Sequence, residues 1–150
     1  MQRIPRQSGF TLIEVMVVVV IIGILAAVIV PKIMDKPDEA RLVKVKQDIA
    51  EIQAALDMYR LDNYVYPSTD QGLQALAQKP SANPAPPHWK QYLDQVPQDP
   101  WGHPYQYLNP GTHGGAVDIW SYGADGVPGG DGVNADQGNW NTADSSSSGH

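Results

Sequence analysis

Three patterns of apolar and polar positions follow one another along the chain. In residues 10–30 the only charged side chain is Glu14. A helix of those 21 residues, rising about 1.5 Å per residue, covers roughly 30 Å, the depth of one bilayer hydrocarbon core. Between Pro37 and Tyr64 the pattern changes: Leu42, Val45, Ile49, Ile52, Leu56 and Tyr59 recur at alternating spacings of 3 and 4. This period predicts an amphipathic helix over 38–62 with one apolar seam. Asp38 and Glu39 suit its first turn through the helix dipole, and "DNYVYP" is read as its stop, because Tyr66 precedes Pro67. Lys44, Asp48, Glu51 and Arg60 are assigned to the solvated or subunit-facing side. With the apolar run, a nearly continuous helix from residue 10 to about 62 spans on the order of 80 Å. Gly23 and Pro31 mark the place for a kink or local melting.

The remaining residues lose both periods. "YPSTDQGLQALAQKP" (66–80) predicts a turn and a short helix, with Ser68, Thr69 or Asp70 as cap and Leu73 and Leu76 inward. "PSANPAPPHWKQYLDQVPQDP" (80–100) is too proline-rich for regular structure and reads as an ordered surface loop anchored by Trp89 and Tyr92. "PYQYL" (104–108) and "AVDIWSYG" (116–123) predict two short strands joined by the turn "NPGTHGG". The final "SSSSGH" has no apolar residue with which to join a core.

Composition narrows the chemistry. The net charge of −6 and the absence of a basic block argue against nucleic acid as a partner. There is no cysteine, which excludes disulfides, thiolate metal sites and cysteine nucleophiles together. The module after residue 37 has no Phe, a thin apolar supply that calls for another staple such as a metal or a polymer partner.

The segment before the apolar run, "MQRIPRQSG", carries Arg3 and Arg6 and no acid, as targeting leaders do. Its small residue, Gly9, precedes the apolar run instead of following it. A cut after Gly9 would therefore remove the leader and keep the helix, with Phe10 as the new terminus. "GFTLIEVMVVVVIIGILAAVIVPK" resembles the class III signal of type IV pilins and pseudopilins. That resemblance implies a prepilin peptidase that cuts between Gly9 and Phe10 and N-methylates Phe10. A carboxylate in a membrane helix costs about 2.5–3.5 kcal/mol on insertion scales and is normally paired. The resemblance implies that Glu14 attracts the α-amino group of a neighbouring subunit's Phe10 and sets filament register. Relatives lose helicity between the positions matching Gly23 and Pro31 on assembly, and the same is expected here. Counting cations would orient the span the other way, since Lys32, Lys36, Arg41, Lys44 and Lys46 outnumber Arg3 and Arg6. A cytoplasmic N-terminus is thus taken from the resemblance alone.

"GLQAL", "DPWGHPYQY" and "DIWSYGADG" with "ADQGNW" extend the likeness over nearly the whole chain to one branch, the major pseudopilins of the type II secretion system. The implied fold is α+β and pilin-like: a long N-terminal helix, its first half in the membrane, packed on a small antiparallel sheet. The implied organisation is a leader at 1–9, a transmembrane and filament-core helix at 10–30, a periplasmic head at 31–142 and a flexible tail at 143–150. The implied role is the major structural subunit of a periplasmic pseudopilus that helps export folded proteins across the outer membrane. Its partners would be copies of itself, minor pseudopilins, prepilin peptidase and an inner-membrane assembly platform with its ATPase. A type IV pilin of a surface filament is the alternative.

Residues 122–140, "YGADGVPGGDGVNADQGNW", place Asp125, Asp131, Asn134 and Asp136 among glycines. Oxygen donors in a loop able to turn its carbonyls inward favour a hard cation. The spacing is not that of an EF-hand, and "GGDGVNADQ" is a single, imperfect copy of a β-helix calcium repeat that cannot stack. The resemblance implies calcium, held by Asp125, Asp136 and the carbonyls of Tyr122 and Val127, with Asp131 as candidate for a missing oxygen. No catalytic residue is expected: His88, His103, His113 and His150 lie in loops or the tail, without an H-E-x-x-H pair, nucleophile elbow or P-loop. A membrane-anchored hydrolase and a calcium-binding adhesin or sensor held by one helix are the readings from other classes.

Overall fold

A computed structural model of the chain describes residues 9–141, leaving aside the side chains of 28–36. The leader up to residue 8 and the tail at 143–150 lie outside the described residues. Two units divide the chain, Met1–Glu39 and Ala40–His150.

Helix α1 (Leu12–Asn63) starts where Thr11 Oγ1 accepts the Glu14 N–H at 3.2 Å. This is the first half of a T-x-x-E capping box, and Glu14 also lies where the helix dipole favours a negative charge. α1 runs through Gly23, Pro31 and Pro37, so the helix expected from residue 10 to about 62 is continuous, without the local melting that Gly23 and Pro31 suggested. Each proline removes only one donor and fixes φ near a helical value, so the hydrogen bonds of the other registers carry the helix past it. The stop falls inside the expected "DNYVYP" stretch, though the proline is not what makes it. Tyr64 adopts φ 72°, a left-handed conformation that ends α1 three residues before Pro67, and its N–H still reaches Arg60 O at 2.7 Å. Buried Asn63 ties this end down, donating to Tyr59 O and to Tyr92 Oη and accepting the His88 N–H.

In the first unit the apolar side chains of residues 10–25 are exposed on every side of the helix. Among the described residues no helix is long and apolar enough to cross a membrane.

The second unit holds the core. Val45, Ile49, Ile52, Leu56 and Tyr59 are buried as the seam predicts, joined by Ala55, while Leu42 is only half-buried. They pack with Leu73, Ala75, Leu76, Tyr105, Val117 and Ile119. Asp48 is the main departure. Assigned to the solvated face, it is instead buried, because positions 45, 48 and 52 share one stripe of the helix. Its Oδ2 accepts the Tyr105 hydroxyl at 2.8 Å, and Lys44 Nζ straddles both oxygens at 2.9 and 2.7 Å with its stem outside.

The short helix after α1 is a 3₁₀ turn, Leu73–Leu76, whose N-cap is Gly72 without a side-chain cap. The Ser68 cap serves the preceding turn instead: Ser68 Oγ accepts the Gln71 N–H and Gln71 Oε1 accepts the Ser68 N–H. Trp89 and Tyr92 anchor the proline-rich loop as expected. Trp89 Nε1 donates to Ala75 O at 2.7 Å, and the Tyr92 hydroxyl donates to Asp62 at 2.9 Å. Burial and then the Asp62 carboxylate push the Tyr92 hydroxyl up to about 12.

The sheet is antiparallel, in the order β1 (Gln106–Leu108), β2 (Asp118–Ser121), β3 (Gln137–Gly138). Tyr107 pairs with Ile119, and Ser121 pairs with Gln137. β3 carries no alternation that the sequence could have displayed. It returns the acidic loop to the sheet, and Asn139 extends the pairing by bonding both Ile119 and Val117.

Candidate functional site

At the N-terminal end, Gly9, Phe10 and Glu14 are all exposed. Phe10 and Glu14 line a groove of about 230 Å3 with Val15, Val18 and Val19, on one side of α1. A carboxylate four residues from Phe10 thus faces outward beside an apolar strip. Thr11 is the residue that sequence reasoning passed over here, although the T-x-x-E spacing was legible.

The acidic loop is built by backbone pairing between its two arms. Ala124 N–H donates to Val133 O at 2.8 Å, and Gly126 N–H donates to Gly123 O. Gly123 has φ 78°, and a Cβ there would lie 2.7 Å from Val133 O. Only glycine permits both that conformation and that approach. Asp125, on the first arm, accepts the Val127 N–H at 3.3 Å. Asp136, on the second, reaches back to the Gly129 N–H at 3.1 and 3.2 Å. Each carboxylate thereby uses one loop amide and keeps acceptor capacity in reserve.

Asp131 is exposed at the N-cap position of a 3₁₀ turn, Gly132–Asn134, with its carbonyl on the Asn134 N–H. Val127 is exposed, and the half-buried Tyr122 sets its ring edge-on to Trp120. Among the described residues no group of three acidic, His or Cys side chains is arranged to hold a metal. A cation in this loop would therefore depend on carbonyl and water oxygens beyond the carboxylates. Residues 122–140 contain no Lys, Arg or His, so the donor set is wholly oxygen and suits a hard cation.

Beside the loop, Asp99, His103 and Ser121 come together, an arrangement that the sequence did not announce. Ser121 is fully buried and its hydroxyl donates to Asp99 Oδ2 at 2.6 Å. That hydroxyl is committed to a carboxylate and closed off from solvent. His103 Nδ1 lies 3.3 Å from Gly123 O and 3.8 Å from Asp99.

A second carboxylate, Asp118, is almost fully buried at the start of β2. Its Oδ2 accepts from Thr112 N–H, Thr112 Oγ1 and His113 Nδ1, the last at 2.8 Å. Burial opposes its charge, but the Thr112 and His113 bonds prevail and hold it below the ordinary carboxylate range. The His113 ring stacks on Trp140 at 3.7 Å, which ties the strand-connecting turn to the end of the acidic loop.

Comparison with known proteins decides the family. The model described as "Type II secretion system (T2SS), protein G" matches residues 32–140, and that of the prokaryotic N-terminal methylation motif matches residues 4–30. The chain belongs to the type II secretion system protein G family. The type II secretion system core protein G of Pseudomonas aeruginosa is 60% identical over 93% of this chain and 99% of its own. That of Vibrio cholerae is 51% identical over 96% and 99%. The crystal structure of the major pseudopilin from enterohaemorrhagic Escherichia coli superposes with a TM-score of 0.64 at 48% identity, covering 71% of this chain and 92% of that one. A protein G fold, a long helix with a small three-stranded antiparallel sheet, is therefore established for this chain.

Proposed function

We propose that this protein G family member is the major structural subunit of a type II secretion pseudopilus, a filament that helps move folded proteins across the outer membrane. The observation that carries the reading is the apolar surface of the first unit, exposed all round α1, with one outward carboxylate four residues from Phe10. A helix apolar on all sides is stable only when something covers it. Before assembly the cover is the inner membrane, in which the apolar run of sequence from residue 10 to 30 anchors the subunit. After assembly it is the same surface of neighbouring copies.

Prepilin peptidase cuts between Gly9 and Phe10 and methylates the new amine. Glu14 then receives the α-amino group of a neighbour's Phe10, which neutralises both charges inside the apolar core and sets the axial step. The head lies in the periplasm, and assembly draws on minor pseudopilins and on an inner-membrane platform with its ATPase. The subunit acts mechanically, without chemistry of its own.

The acidic loop binds calcium through Asp125, Asp136 and the carbonyls of Tyr122 and Val127, with Asp131 supplying a further oxygen directly or through water. The wholly oxygen donor set and the spare acceptor capacity of both carboxylates support this. Bound calcium links the two loop arms and adds its binding free energy to folding, since the unfolded chain has no assembled site.

Intact mass of protein purified from cells with and without prepilin peptidase tests the reading. Loss of residues 1–9 with gain of one methyl group, only where the peptidase is present, is the expected result. An uncut chain in peptidase-positive cells would overturn it. Glu14→Ala is expected to be processed normally yet to yield no filaments.

A further inference from the structure

We infer that Asp99, Ser121 and His103 form a clamp that holds residues 123–125 of the acidic loop in the shape a hard cation requires, acting as positioning residues and not as ligands. The inference rests on the calcium reading above.

Asp99 is 4% exposed, and its carboxylate organises its own segment first. Oδ1 accepts the Trp101 and His103 N–H groups at 3.1 and 2.8 Å, while the Asp99 N–H donates to His103 O at 2.9 Å. The loop 99–103 is thus wound around a buried charge. Oδ2 then receives the Ser121 hydroxyl at 2.6 Å, and Ser121 Oγ in turn accepts the Gly123 N–H at 3.0 Å. With its proton on Nδ1, His103 donates to Gly123 O at 3.3 Å. Both backbone groups of Gly123 are therefore held from outside the loop, one by each arm of the clamp.

The consequence reaches Asp125 through two peptide units. Gly123 O also accepts the Gly126 N–H, closing the turn on which Asp125 stands. A Cβ at Gly126 would lie 3.0 Å from the His103 ring, so the imidazole covers the back of that turn. Charge-assisted hydrogen bonds to an ionised acceptor are short and strong, and here they are spent on one turn. A buried carboxylate is costly unless it is fully bonded.

Partners that orient ligands typically matter 10–100-fold in metal affinity. The test is calcium titration calorimetry on the full processed chain in detergent micelles. Amide hydrogen exchange in chelator accompanies it. Ser121→Ala is expected to weaken calcium binding about 10–100-fold. It should also speed exchange at Gly123 and Gly126 without calcium, while Ile49 and Ile52 stay protected. His103→Ala, at a half-exposed position that leaves the core intact, is expected to weaken binding at the lower end of that range, about 10-fold. Leu76→Ala serves as the contrast: it lowers melting temperature yet leaves the affinity of the folded protein unchanged.

Calcium affinities of Ser121→Ala and His103→Ala within about twofold of wild type, set against the range expected for orienting partners, would overturn the clamp while leaving the calcium reading in place. Should Ser121→Ala not fold, His103→Ala decides alone. Failure of the wild type to bind calcium removes the calcium reading, and the clamp with it.

Discussion

Replacing Tyr105 by Phe removes one oxygen and leaves the ring in the core, so it isolates the tie between α1 and the strand region. The hydroxyl donates to Asp48 Oδ2 at 2.8 Å, and both residues are buried. A hydrogen bond to a charged acceptor contributes about 1.5–3 kcal/mol. Lys44 remains on both Asp48 oxygens, so the carboxylate is not abandoned, and the expected loss at pH 7 lies at the lower end, about 1.5–2 kcal/mol.

A second signature follows from titration. Burial, and then the Asp48 bond, raise the Tyr105 hydroxyl well above its ordinary value. Above pH 10 the unfolded chain releases this proton while the folded chain keeps it. The stability is therefore fully present below pH 10 and is lost as pH rises toward the folded value. Each such proton corresponds to about 1.4 kcal/mol per pH unit. Urea melts followed by tryptophan fluorescence, at pH 7 and between pH 10 and 11.5, read both quantities. Wild type should lose stability more steeply than Tyr105→Phe in the alkaline range, since Tyr59, Tyr92 and Tyr107 titrate alike in both. A loss below about 0.5 kcal/mol at pH 7, with parallel alkaline slopes, would refute the reasoning.

Three further outcomes are expected. Tyr64→Gly relieves a left-handed conformation at an exposed position and should stabilise the head by about 0.5–1 kcal/mol in the same melts. Gly111→Ala places a Cβ 2.7 Å from Gly115 O and 2.8 Å from Asp118 Oδ1. It should destabilise by about 1–3 kcal/mol, seen as a lower urea midpoint. Asp125→Ala should lower the melting temperature in calcium and abolish its dependence on calcium; equal melting of mutant and wild type, with and without the ion, would remove the ligand assignment.

The apolar run, the 3 and 4 spacing of the seam and the Gly9-Phe10-Glu14 signature were legible from the residues because each is local. Helical period and span length depend only on neighbours a turn away. The same locality made Pro31 and Pro67 look decisive. In the folded chain α1 passes through the first and ends at Asn63, before Tyr64, whose left-handed backbone no residue preference announced.

What the sequence by itself determined is therefore the helix, its two kinds of surface, the acidic glycine-rich loop and the family. Tertiary structure alone decided the polar ties. Asp48 meets Tyr105 across 57 residues, Asp99 meets Ser121 across 22, and Gln53 meets Asn139 across 86. A buried carboxylate and a solvated one look alike in sequence. They differ in the distant donors that the fold brings to them, and those donors offset the cost of burial. For the same reason the two-residue strand β3 was invisible: its pairing is supplied by β2, not by any pattern of its own.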